Sequence, residues 1–122
     1  MKHRETFEKF ADRFVKREFR NRFLHEAVKK PQKLHSRICH GIEELFEKSL
    51  AGGRCSFEPS ERCLVLSGDK GFREAEWAEA LDLMGMGEGL LVIGQDGDRF
   101  YAESEASKGI ISMAYAGEEK AR

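Results

Sequence analysis

LLVIGQDGDRFYAE, residues 90–103, reads as two strands and the turn between them. Leu90–Gly94 is a short apolar run and Arg99–Glu103 alternates in character. Asp96-Gly97 between them is the dipeptide that best supplies the positive φ angles of a tight hairpin. Working outward, Cys55–Glu58 and Arg62–Ser67 form an expected earlier hairpin around Pro59-Ser60, and Gly109–Ala116 is an expected last strand. The run Phe72–Met84 reads instead as a helix, with Trp77, Ala80, Leu81 and Met84 on its inner stripe and Phe72 and Trp77 at the staple positions of its start.

The residues before Gly52-Gly53 follow a helical period. Phe7, Phe10, Ala11 and Phe14 recur at helical spacing, and Phe19, Phe23 and Ala27 continue the pattern rotated about the axis. A bend or break near Lys16–Glu18 is the simpler account of that rotation, one long helix over residues 5–29 wrapped by the rest of the domain being the alternative, and Pro31 is expected to stop the segment because the residue before proline avoids helical angles. From Gln32 to Leu50 one stripe holds Leu34, Ile38, Ile42, Leu45 and Phe46. The expected fold is therefore α+β: two or three N-terminal helices followed by β-β-α-β-β-β, an antiparallel sheet covered by helices. One domain over residues 1–122 is expected, with a helical part at 1–51, a sheet-plus-helix part at 54–117 and a frayed tail at 118–122.

Charge is distributed unevenly along this frame. Residues 1–40 carry 12 Lys/Arg against 5 Asp/Glu, and residues 41–122 carry 9 against 17, so a basic head at +7 and an acidic body at −8 hide within a whole-chain charge of −1. At 40% hydrophobic with nine Phe the chain can pack a core, and at 35% charged its surface is heavily ionised. No stretch approaches the ~20 apolar residues of a membrane span, and Met1-Lys2-His3-Arg4-Glu5 has no apolar leader. A cytoplasmic protein is the expectation. Cys39, Cys55 and Cys63 are three, without a repeated spacing, and read as reduced thiols.

The basic residues are the candidate site. On a helix continuing to residue 20, Lys9, Arg13, Lys16, Arg17 and Arg20 would fall within roughly a 100° arc. Lys29, Lys30, Lys33 and Arg37 make a second cluster around Pro31, and Arg22 lies between the two. Arginine at these positions suits bidentate pairing with carboxylates. The function expected is that of a small non-enzymatic protein-binding or regulatory protein, of adaptor, antitoxin or immunity type, whose basic helical surface recognises the acidic surface of another protein. The alternative is a nucleic-acid-binding protein that uses the basic stripe of residues 9–37. Self-association, basic head on acidic body, is the third reading, and no membrane partner is expected.

Catalytic, cofactor and metal sites are not expected. His40, Glu43, Glu44 and Glu47 share one helical face without a second His at the spacing of helical zinc motifs. His35, Cys39 and His40 are a further cluster, but His35 and His40 lie well apart around a helix. Gly85-Met86-Gly87-Glu88-Gly89 follows a helix and precedes a strand, the wrong order for a phosphate loop, and Ser67–Gly71 lacks the Lys-Ser/Thr pair of one.

Overall fold

The computed structural model describes residues 3–40, 46, 58–68, 71–83, 88–97, 99–105 and 113–116, the backbone alone at 105 and 113–116. It has helices and an antiparallel sheet, an α+β protein. Helix α1 is Arg4–Phe14, and it buries Phe7, Phe10, Ala11 and Phe14, the stripe that the spacing indicates. Val15 (ψ 136) and Lys16 (ψ 141) then leave helical geometry, a single 3₁₀ turn occupies Arg17–Phe19, and α2 is Arg20–Lys29. The bend lets Phe23 and Ala27 face the core that Phe10 and Phe14 already face. Two carbonyls left open near the end of α1, those of Asp12 and Val15, accept hydrogen bonds from the Arg20 guanidinium, both at 3.0 Å.

Pro31 does more than stop a helix. Lys30 before it takes φ −140, ψ 61, outside the helical region, and Pro31 itself begins α3, Pro31–His40. A ring that presets φ and lacks an N–H costs nothing at a first helical position. Helix α3 buries Leu34, Ile38 and Cys39. The expected continuation to Leu50 lies outside the described residues except for Phe46, which is fully buried and forms a bridge with Val15.

The strands are β1 (Arg62–Leu66), β2 (Arg73–Glu76), β3 (Glu88–Gly94), β4 (Arg99–Glu105) and β5 (Met113–Ala116), with α4 (Trp77–Leu81) between β2 and β3. They form one antiparallel sheet in the order β2-β1-β3-β4-β5. The hairpin of residues 90–103 is present, with Leu91 opposite Ala102 and Ile93 opposite Phe100. Its turn closes through the Gly97 N–H on the Gly94 carbonyl at 2.9 Å, and Gly97 takes φ +74. That turn docks on α1: a Cβ at residue 97 would meet the Thr6 carbonyl at 3.0 Å and the Phe10 nitrogen at 3.1 Å, so glycine serves both the angle and the approach.

The structure corrects the reading of residues 72–84. Arg73–Glu76 is a strand, and the helix begins only at Trp77, capped by Glu76 in a reciprocal capping box with Glu79. The apolar strand β1 needs a hydrogen-bonded neighbour on each side, and Arg73–Glu76 fills one of them, a tertiary demand that outweighs a weak local preference. The other expected partner of β1, Cys55–Glu58, lies outside the described residues but for Glu58. Leu81, expected on the inner stripe, is 49% exposed.

Alternation along the strands divides the sheet into two faces. Leu64, Leu66, Leu91, Ile93, Phe100 and Ala102 pack under α1, α2 and α3. Cys63, Val65, Leu90 and Val92 point the other way and pack with Trp77 and Ala80 of α4. Because β1 is antiparallel to both neighbours, β2 and β3 run parallel, and the chain between them crosses β1 through α4. The three basic helices and α4 thus lie on opposite sides of the sheet.

Candidate binding surface

Of the ten basic residues singled out in the sequence, Lys9, Arg13, Arg17, Arg22, Lys29, Lys30 and Lys33 are exposed, and Lys16, Arg20 and Arg37 are half-buried. They do not form one stripe. The arc from Lys9 to Arg20 presumes a helix continuous to residue 20, whereas α1 ends at Phe14. Arg20 holds the backbone of Asp12 and Val15. Arg37 clasps Glu26 of α2 through two hydrogen bonds of 2.8 Å from Nε and Nη2, and that carboxylate side chain is 5% exposed. Both arginines build the scaffold. On α1 the remaining cations stand among exposed Glu5, Glu8 and Asp12, and Arg4 is paired with Glu8 at 3.0 Å.

The outer face of α2 and α3 is different. Between residues 19 and 40 the chain has one carboxylate, Glu26, and it is buried under Arg37. At the rotation of a 3.6-residue helix, Arg22, His25 and Lys29 fall within about 60° on α2, and Lys33, Ser36 and His40 within about 60° on α3. All six are exposed, with Lys30 at the corner between the helices. The Arg22 guanidinium lies 6.0 Å from the Phe19 ring centroid, and the His40 Nδ1–H donates to the Ser36 carbonyl at 2.8 Å. Sequence spacing marked most of these cations. It did not mark that Glu26, the carboxylate within α2, is consumed internally, because that depends on where two helices meet.

Cys39, Cys63, His35 and His40 have hydrogen-bond partners. His35 Nε2 donates to the Gly89 carbonyl at 3.1 Å, since a carbonyl only accepts, and the Cys39 thiol points at the Glu88 carbonyl at 3.5 Å. Cys39 Sγ is 3.8 Å from both His35 ring nitrogens. Gly89 at φ +84 permits this contact, since a Cβ there would stand 2.4 Å from Cys39 Sγ. The cluster is a helix-to-sheet packing joint. His40 with Glu43, Glu44 and Glu47 lies outside the described residues but for His40, as does Cys55. Among the described residues no three His, Cys, Asp or Glu side chains gather as metal ligands.

Cys63 is 1% exposed and donates to the Ala75 carbonyl at 3.4 Å. Burial pushes its thiol up from 9.0 to about 11, against a smaller opposing pull from the Arg62 guanidinium. A raised acid holds its proton in the folded state where the unfolded chain has lost it. The stabilisation is therefore complete below pH 9 and lost as pH rises from 9 to about 11. Native Cys63 should react with iodoacetamide at pH 8 at least about tenfold more slowly than in urea, and Cys63→Ala should flatten the loss of stability between pH 9 and 11. Equal labelling rates would contradict this.

Cavities among the described residues border the sheet. One, of about 180 Å³, lies at the start of α1 between His3, Thr6, Arg62, Glu74 and Gln95. Its charges are matched internally, with Glu74 3.2 Å from His3 Nε2 and 3.4 Å from Arg62 Nη2. Another, of about 90 Å³, is on the α4 side, lined by Ser67, Leu83, Glu88 and the fully buried Glu103, which accepts a 2.5 Å hydrogen bond from the Tyr101 hydroxyl. Among the described residues no helix is long and apolar enough to cross a membrane. Compared with protein-family models, curated proteins and solved structures, the chain matches none.

Proposed function

We propose that this chain is a small non-enzymatic binding protein, of adaptor, antitoxin or immunity type, and that the outer face of α2 and α3 recognises an acidic surface on another protein. We read residues 1–122 as one cytoplasmic domain in which N-terminal helices precede β-β-α-β-β-β. The supporting observation is the exposed face of Arg22, Lys29, Lys30 and Lys33, with the one carboxylate of residues 19–40 already clasped by Arg37. Cations with no carboxylate partner among the described residues keep their attraction for an external anion, and a guanidinium beside the Phe19 ring is preorganised to pair. A protein partner suits this surface better than a nucleic acid. Each helix contributes ten residues, about 15 Å of face, and the carboxylates of α1 border it, which penalises a long polyanion.

A titration separates the two readings. Labelled poly-L-glutamate and a labelled DNA duplex, each followed by anisotropy between about 30 and 300 mM salt, compare an acidic polypeptide with a phosphate backbone. Poly-L-glutamate should bind at low salt, and Lys29→Glu with Lys30→Glu and Lys33→Glu should weaken it by about tenfold or more at unchanged thermal stability. Strong duplex binding with a steep salt slope, lost in the same variant, would move the assignment to nucleic acid. Binding of neither probe would end both.

A further inference from the structure

We infer that the α2–α3 face also takes a second copy of this chain, docked by the acidic corner around α4. The inference rests on the reading of α2–α3 as a binding face and adds a particular occupant. Residues 74–98 contain seven carboxylates and no Lys, Arg or His. Glu76, Glu79 and Asp82 are exposed along α4, and Glu88, on the same side of the sheet, is exposed beside Leu83. Arg73, the nearest cation upstream, stands at the far end of β2, about 10 Å of strand away, and Arg62, opposite Glu76 in the β1–β2 ladder, is paired with Glu74. Leu81, on the same short helix α4, is 49% exposed where the helical spacing calls for an inner position. An exposed apolar side chain beside charged ones offers a docking surface area to bury.

The two surfaces cannot neutralise each other within one molecule. The α2–α3 face lies on the outside of the helical layer, and α4 lies beyond the opposite face of the sheet. Two layer spacings of about 10 Å separate them, more than twice the ~8 Å screening length at physiological ionic strength. A molecule positive on one side and negative on the other stacks head to tail. Such a contact is heterologous and does not close on itself, so the assembly extends with concentration instead of stopping at a dimer.

Sedimentation equilibrium at about 20 mM and about 500 mM salt tests this, with Asp82→Lys/Glu88→Lys as the informative variant because it spares the Glu76–Glu79 capping box. The wild-type protein should show a weight-average mass that rises with concentration past twice the monomer at low salt and falls to monomer at high salt. Asp82→Lys/Glu88→Lys should be monomeric at both while still binding poly-L-glutamate. Lys29→Glu/Lys33→Glu should lose both properties. Mixing these two variants should give a 1:1 complex that neither forms alone, since the unaltered α2–α3 face of one then meets the unaltered α4 corner of the other. Leu81→Gln should weaken association by about tenfold without any change of charge. A wild-type monomer at low salt that still binds poly-L-glutamate would overturn the inference and leave the binding face standing. Association that persists in Asp82→Lys/Glu88→Lys would overturn it as well.

Discussion

Replacing Phe10 by Ala should lower the free energy of unfolding by about 3–5 kcal/mol, the range for removing a buried ring from a core that collapses only partly. Phe10 is fully buried at the centre of an aromatic cluster. Its ring centroid lies 5.3 Å from Phe14, 5.5 Å from Phe23, 5.9 Å from Phe46 and 5.1 Å from Phe100. Those rings come from α1, α2, the residues after α3, and β4. One truncation therefore removes the contact that ties three helical segments to the sheet, and no single neighbour can move into the space without leaving another. Edge-on and tilted ring pairs add about 0.5–1.5 kcal/mol each beyond area burial. Phe19, half-buried at the margin of the same cluster, should cost clearly less when truncated. Urea unfolding of the two variants checks the order; a loss under about 1 kcal/mol for Phe10→Ala would mean that the aromatic cluster is not the centre of the fold.

Breaking the Glu26–Arg37 clasp should be strongly asymmetric. Arg37→Ala strands a carboxylate whose side chain is only 5% exposed, a loss of about 3 kcal/mol. Glu26→Ala leaves a guanidinium that is already 38% exposed and can turn into water, and should cost about 1 kcal/mol. Replacing both with apolar residues, Glu26→Leu with Arg37→Met, should recover most of the loss, because no charge is then left buried. Thermal unfolding of the three variants measures this. Equal losses for the two single changes would show that the carboxylate has another way to be solvated. The same variants bear on recognition. Below its melting temperature Arg37→Ala should bind poly-L-glutamate within about twofold of wild type, as expected of a residue that holds two helices together.

Both predictions turn on features that the sequence showed only in part. The stripe Phe7, Phe10, Ala11, Phe14 is legible because a period of 3.6 is local, and so is the hairpin at Asp96-Gly97, where glycine supplies the positive φ that the turn needs. The bend after Phe14 is legible for the same reason, since an apolar stripe that rotates about a straight axis cannot face one core. Residues 73–76 were not legible as a strand. Arg-Glu-Ala-Glu has no strand pattern of its own, and it is extended because β1 has an edge to fill. The Arg37–Glu26 clasp was not legible for a related reason. On one helix Arg37 is a cation next to Lys33, and only the approach of α2 reveals Glu26 beneath it.

From the sequence alone came the α+β class, the helical periods of the first forty residues, the β3–β4 turn and the division of charge between a basic head and an acidic body. These follow from spacing and composition, which act over a few residues. Tertiary structure decided which cations remain available. It drew Arg20 and Arg37 into hydrogen bonds, buried the Glu26 carboxylate under Arg37, and set α4 on the far side of the sheet. A charge keeps its reach only where nothing nearby satisfies it, and what is nearby is settled by how helices and strands pack.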